Sequence, residues 1–173
     1  MRKQLTHLDA KGRARMVNVG EKPVTAREAH AEGFISLEPS TLRAIAEGKI
    51  PKGEVLNTAR IAGILAAKRC GDLIPLCHPL AIESVEVDFD IPELEPTAGQ
   101  SVRLHIKAVA RINAKTGVEM EALTAVTIAA LTVYDMCKAM SHDIEIHDVR
   151  LLHKSGGKRD VDVPDPNQSA DKS

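Results

Sequence analysis

Residues 101–138 read SVRLHIKAVARINAKTGVEMEALTAVTIAALTVYDMCK, and the fold turns on a change of period inside them. Through 101–112 apolar and polar residues alternate, which places Val102, Leu104, Ile106 and Ala108 on one side of a strand. From about 118 to 140 the chain reads as one long helix. Its thirteen residues between Glu121 and Asp135 carry no charge, the pattern of a helix buried all round. A strand with one apolar face, followed by an apolar helix, is stable when the helix lies across that face.

Working outward, ESVEVDFDI (83–91) alternates in the same way, with Val85, Val87, Phe89 and Ile91 on one face and acids opposite. The loop after it, with two prolines, makes a hairpin with the 101–112 strand. DIEIHDVRLLHK (143–154) reads as a last strand. EVLNTARIAGILAAKR (54–69) is a helix with a face of Leu56, Ala59, Gly63 and Ala67, and Ile64 beside it. EPSTLRAIAEG (38–48) is a shorter one, opened by Pro39, carrying Leu42, Ile45 and Ala46 at helical spacing, and stopped by Gly48. VTAREAHAEGFISL (24–37) has the alternation of a strand and the Ala and Glu content of a helix; we read a strand. ARMVNV (14–19) reads as a short strand, and CGDLIPLCHPL (70–80), with two prolines, as irregular. Residues 1–13 are expected to be mobile, 14–158 to form a single domain, and 159–173 to be a disordered tail. The order predicts an α+β sandwich, ferredoxin-like, with a mainly antiparallel sheet and the long helices on one face. The other face is then wet or meets another subunit.

At 173 residues the chain can bury a core of its own. The formal net charge of −1 gives no global attraction to nucleic acid or to an anionic membrane. With no Trp, one Tyr and two Phe, the core must be Ala, Val, Ile and Leu, and single-stranded nucleic acid would find few stacking platforms. The N-terminus has no apolar stretch of signal-peptide length, and no window approaches the roughly 18 apolar residues of a membrane span. Together with an odd count of cysteines, this predicts a cytoplasmic protein with reduced thiols. No CxxC occurs and Cys77 and His78 are adjacent, a poor chelating geometry, so no metal site is expected.

Several stretches carry chemistry. Asp135 and Lys138, three apart, share a helix face. They are either a surface ion pair or, continuing from a buried helix, a desolvated pair in which proton transfer is useful. Glu119 and Glu121 flank Met120 at the helix start, where acids suit the dipole but could also bind a sugar hydroxyl, a guanine edge or Mg²⁺. IPLCHPL presents a thiol and an imidazole from a rigid apolar loop, a composition that suits a ligand pocket. His78 is then a ligand contact, and Cys77 a contact or, less readily, a nucleophile. KIPKGE sets Lys49 and Lys52 before a helix start. HKSGGKRD gathers Lys154, Lys158 and Arg159 around two glycines, and both suit phosphate oxygens as well as solvent. Arg27 and Arg60 are further cationic candidates.

Taken together, LTHLDAKGRARMVNV (5–19), ARIAGILAAKR (59–69), IPLCHPL (74–80), TGVEMEALTAV (116–126), LTVYDMCKA (131–139) and LLHKSGGK (151–158) resemble the MoaC family of molybdenum-cofactor biosynthesis. The resemblance runs over roughly residues 5–158. It implies conversion of a cyclised dihydroguanosine triphosphate to cyclic pyranopterin monophosphate with release of pyrophosphate. It implies a ferredoxin-like fold assembled as a homohexamer, a trimer of dimers, with active sites between subunits.

By motif, Asp135, Lys138 and Lys52 match the family's catalytic groups. Leu76, Cys77, His78, Glu119, Met120, Glu121, Arg27 and Lys154 match its substrate contacts. No tightly bound cofactor is implied, and Mg²⁺ would arrive with the substrate triphosphate. Lys138 is expected to have a lowered pKa. Glu121 and Asp135 are fourteen residues apart, roughly 21 Å along a helix and too far for one compact site, so either the substrate stretches along the helix or a two-fold axis brings one subunit's glutamates towards another's aspartate. The chain departs from the family pattern at Asn18, usually Asp, at Cys70, commonly Thr, and at KSGGKRD, usually KSGGKSG. Two other readings are a non-catalytic nucleotide or pterin sensor with this fold and a scaffold for other cofactor-pathway proteins.

Overall fold

A computed structural model of the chain describes residues 11–93 and 101–163. Its central strands are β1 (Thr25–Leu37) and β3 (Val102–Ala114), paired antiparallel along their whole length from Thr25 opposite Ala114 to Leu37 opposite Val102. β2 (Ser84–Asp90) adds to the outer edge of β3, and β4 (Glu145–Ser155) to the other side of β1. The order β2-β3-β1-β4, closed by the two-residue β5 (Val161–Asp162), is all antiparallel where strands pair. With α2 (Val55–Lys68) between β1 and β2 and α4 (Glu119–Cys137) between β3 and β4, this is the ferredoxin-like α+β arrangement.

The alternation in β1 decides its place. Ala29, Ala31, Ile35 and Leu37 are buried on the helix side, beside Leu104, Ile106, Ala108 and Ala110 of β3. The residues between them face the other way: Glu28, His30, Glu32, Phe34 and Ser36. There Glu32 is buried among charges, accepting from Arg150 Nε at 2.7 Å and from His105 Nε2 at 2.8 Å. Phe34 stacks on the His105 ring, centroids 4.4 Å apart.

α4 lies over β1, β3 and β4, and α2 packs along α4 and over β2. Their contact uses small residues. A side-chain carbon at Gly63 would stand 2.8 Å from the Ala125 carbonyl oxygen and 3.4 Å from Ala129 Cβ. The core is aliphatic and alanine-rich throughout, and Tyr134 is only partly buried at its edge.

Several expectations need correction. Residues 14–19 form no strand beyond a single bridge at Ala14. The 70–80 stretch begins with a short helix, α3 (Cys70–Leu73). The reading of a tail from 159 meets β5, which pairs Val161 with Lys154 and Asp162 with His153. Residues 164–173, like 1–10, lie outside the described residues. Ala46 is exposed, since α1 (Pro39–Ala46) buries Thr41, Leu42 and Ile45 instead. α4 is long and apolar enough to cross a membrane by length and composition, contrary to the sequence reading, and half of it is packed inside the fold. In the single chain one face of it is buried and Leu131, on the other, is 48% exposed.

Candidate active site

The first turn of α4 divides two carboxylates. Glu119 turns outward and accepts from Lys154 Nζ of β4 at 2.7 Å. Glu121 turns inward and is only 3% exposed. Burial pushes the Glu121 carboxyl above its usual range, and the nearby charge of Glu119 acts in the same direction. The Cys70 thiol lies against it and also meets Thr124 Oγ1 at 3.5 Å. Burial drives that thiol up to about 12.

Across from this turn runs the proline loop. A cavity of about 660 Å³ is lined by Leu76, Cys77 and His78, by Glu119, Met120 and Glu121, and by Val17 and Val19. His78 Nε2 donates to the Val17 carbonyl oxygen at 2.8 Å, and this holds the irregular 17–19 segment as a wall. That bond occupies Nε2, and among the described residues no hydrogen bond joins the imidazole to the Cys77 thiol. Burial raises Cys77 as well, which leaves little thiolate at neutral pH and weighs against a nucleophilic role.

A second recess of about 220 Å³ opens from the first. They share Lys22, Thr116, Gly117, Glu119, Lys154 and Lys158, and so form one trough. Around the recess stand six cations, Lys22, Arg27, Lys115, Lys154, Lys158 and Arg159, with two acids, Glu119 and Glu28. Both acids are already matched: Glu119 by Lys154, and Glu28 by His30 at 2.7 Å and Arg111 at 2.5 Å. The recess therefore keeps a cationic excess. Arg27 is held there through a bond from its Nε to the Ala114 carbonyl oxygen at 3.3 Å.

The far end of α4 carries the other group. Asp135 Oδ1 accepts from Lys138 Nζ at 2.8 Å, and Oδ2 accepts from Lys52 Nζ at 2.7 Å. The Lys52 ammonium also reaches the Asp135 carbonyl oxygen at 2.8 Å. Hydrogen bonds from Lys138 and then Lys52 hold the Asp135 carboxyl down to about 2. The same carboxylate raises Lys138. This corrects the expectation of a desolvated pair with a lowered lysine. In the single chain the Asp135 and Lys138 side chains are 58% and 54% exposed, so hydrogen bonding and Coulomb attraction outweigh desolvation.

The structure thus brings Leu76, Cys77, His78, Glu119, Met120, Glu121, Arg27 and Lys154 into one trough. It gathers Asp135, Lys138 and Lys52 separately. Lys49 pairs with Glu47 at 2.6 Å, so the 49–54 loop offers Lys52 to Asp135 rather than two lysines to a phosphate. Arg60 is structural, donating from Nε to the Val87 carbonyl oxygen at 2.9 Å beside the Phe89 ring. Sequence reading missed Lys22 and Lys115, which sit in loops far apart in the chain and share a wall only after folding. Among the described residues no group of three or more His, Cys, Asp or Glu side chains is placed to hold a metal ion.

Comparison with known proteins bears on this arrangement. The sequence model of the MoaC family matches residues 16–157, which include both ends of α4, the proline loop and the basic turn as far as Gly157. The chain belongs to the MoaC family. It is 55% identical over 157 residues to a cyclic pyranopterin monophosphate synthase of Pelotomaculum thermopropionicum, covering 91% of this chain and 89% of that one. It is 58% identical over 154 residues to cyclic pyranopterin monophosphate synthase 3 of Mycobacterium bovis, covering 89% and 83%. Molybdenum cofactor biosynthesis protein 1 of Drosophila melanogaster is 54% identical over 163 residues, which are 94% of this chain and 28% of that longer protein.

Proposed function

We infer that this chain is a cyclic pyranopterin monophosphate synthase of molybdenum-cofactor biosynthesis. It is a lyase that converts (8S)-3′,8-cyclo-7,8-dihydroguanosine 5′-triphosphate to cyclic pyranopterin monophosphate and pyrophosphate. The observation that carries the reading is the trough: a part-apolar cavity of small-molecule size continuing into a recess with a cationic excess. A purine-derived base bearing a triphosphate has the same two ends. Leu76 and Met120 give apolar contact to the base, and Glu121, buried at its edge, meets its polar rim. Arg27 and Lys154 neutralise the phosphates. Closing the cyclic phosphate forms a bond from a sugar oxygen to the α-phosphorus and breaks the bond from that phosphorus to the bridging oxygen. The cations stabilise the negative charge that departs with the pyrophosphate. Mg²⁺ arrives as the counter-ion of the substrate triphosphate.

Asp135, Lys138 and Lys52 handle protons. The group starts as a carboxylate between two ammonium ions, so each lysine can act as a general acid. The trough and this group lie at opposite ends of one helix, roughly 21 Å apart. The protein works as a homohexamer, a trimer of dimers, in which a second copy brings its Asp135 to the trough of the first. The half-exposed Ile61, Leu65 and Leu131 on the outer face of the helix pair support this, as apolar surface that a second copy would cover. The protein is placed in the cytoplasm, in keeping with its free cysteines 70, 77 and 137.

The test is pyrophosphate release from the cyclised substrate, with detection of the pterin product. Asp135→Asn is expected to abolish turnover with the fold intact, as is Lys52→Ala. Near-normal rates in either would refute its placement, and tight substrate binding without turnover in the wild type would make the protein a sensor.

A further inference from the structure

The basic turn after β4 ends in Arg159 and Asp160 where the resembled pattern has serine and glycine. At first sight the two charges cancel. The structure separates them. The Asp160 carboxylate turns back into its own loop, where Oδ1 accepts from the Gly156 backbone N–H at 3.1 Å. It does not line the recess, whereas Arg159 does. Among the described residues Arg159 has no carboxylate partner, and neither have Lys22 and Lys158 beside it.

The turn is also held firmly. Gly156 has a φ of +77°, and a side-chain carbon there would stand 1.8 Å from the Ala26 carbonyl oxygen, so the loop lies directly on β1. Thr25 Oγ1 donates to the Gly156 carbonyl oxygen at 2.8 Å. On its far side β5 pairs back onto β4, with His153 and Asp162 joined at 2.6 Å. Gly157 leaves room for a guanidinium, since a side-chain carbon at that position would be 3.0 Å from Arg27 Nη1. The turn that carries Arg159 is therefore anchored from both sides, beside Arg27 and at the rim of the cationic recess.

We propose that Arg159 is a further binding residue for the leaving pyrophosphate, and that Asp160 is a positioning residue that fixes its loop. The proposal rests on the function inferred above. Two guanidinium forks, Arg159 on the turn and Arg27 at the adjoining end of β1, suit the several oxygens of a diphosphate, which accepts paired N–H bonds better than a single phosphate does. The consequence is a strong grip on the second product: the pyrophosphate end of the substrate is held during ring closure and leaves slowly afterwards.

The experiment titrates inorganic pyrophosphate, with inorganic phosphate as comparison, into the full-length wild type and into Arg159→Ser, Arg159→Lys and Asp160→Ala by calorimetry. The same four proteins are then assayed for inhibition of turnover by pyrophosphate. Arg159→Ser should weaken pyrophosphate about tenfold, the size of one charge-assisted bond, and phosphate by much less. Arg159→Lys should fall between. Asp160→Ala should weaken pyrophosphate by a smaller factor and leave a folded protein with wild-type melting above the assay temperature. Equal pyrophosphate affinity in wild type and Arg159→Ser would overturn the proposal, and tighter pyrophosphate in Asp160→Ala would show the acid opposing the site rather than positioning it. If the wild type binds pyrophosphate through Arg159 but never turns over the cyclised substrate, the functional reading fails while the anion site stands. Turnover with no dependence on Arg159 gives the reverse.

Discussion

Subunit mixing tests the separation of the two groups most directly. Glu121 and Asp135 sit fourteen residues apart on one unbroken helix, roughly 21 Å at 1.5 Å per residue. If each site is completed across a two-fold axis, the Glu121 of one copy works with the Asp135 of the other. Two isosteric variants, Glu121→Gln and Asp135→Asn, each leave every site of their own oligomer with one faulty end. Loss of Asp135 from the acid–base group is worth about 10²–10⁴-fold in rate, and loss of the buried Glu121 contact to the base about tenfold or more, so each variant alone is expected to fall well below the wild type. Co-expressed in equal amounts with different affinity tags, they associate at random and half the dimers are mixed. A mixed dimer has one site with both faults and one with neither, so about a quarter of all sites recover. The assay is pyrophosphate release by doubly purified oligomers, compared with a mixture of the separately purified parents. Activity no higher than that of the parents would refute the interfacial site and require both ends of α4 to serve one substrate within a single chain.

Two further outcomes concern the scaffold. Gly63→Ala gains helix propensity but sets a methyl 2.8 Å from the Ala125 carbonyl oxygen, and urea unfolding should show a net loss of about 1–3 kcal/mol; an unchanged midpoint would mean that α2 and α4 can move apart freely. Glu121→Gln should show a pH-dependent gain in melting temperature. Burial raises the folded carboxyl above its unfolded value of 4.5, so the native state holds the proton more tightly, and this group's contribution to stability falls as pH rises from 4.5 through the folded value. The variant lacks that loss, and its advantage over the wild type should widen across the same window; a constant difference would mean that Glu121 is not held up by burial.

The sheet and its two long helices were legible because each depends on a period written along the chain. Val85 to Phe89 and Val102 to Ala108 alternate, and α2 repeats small residues at Ala59, Gly63 and Ala67, where it touches α4. β1 was ambiguous for a physical reason: its inward residues include Ala29 and Ala31 because α4 crosses close above them, and alanine also favours helices. The two residues of β5 carry too little pattern to read, and their pairing is fixed by β4. At the site, Asp135 and Lys138 show themselves by spacing, whereas Lys52, eighty-three positions from Asp135, reads from its loop as a phosphate contact and joins that pair only through family resemblance. Lys22 and Lys115 had neither signal. The exposure of the Asp135 end was misjudged because an uncharged run tells that a helix is covered, but not by which chain.

The sparse aromatic content has a practical side. The sequence contains no tryptophan, and its single tyrosine, Tyr134, precedes Asp135 and is only partly buried at the core's edge. Tyrosine emission, which excitation beyond the phenylalanine band separates from that of Phe34 and Phe89, thus originates one residue away from the carboxylate between Lys52 and Lys138. A second copy docking there would change the surroundings of that ring alone, so association can be followed optically with no added label.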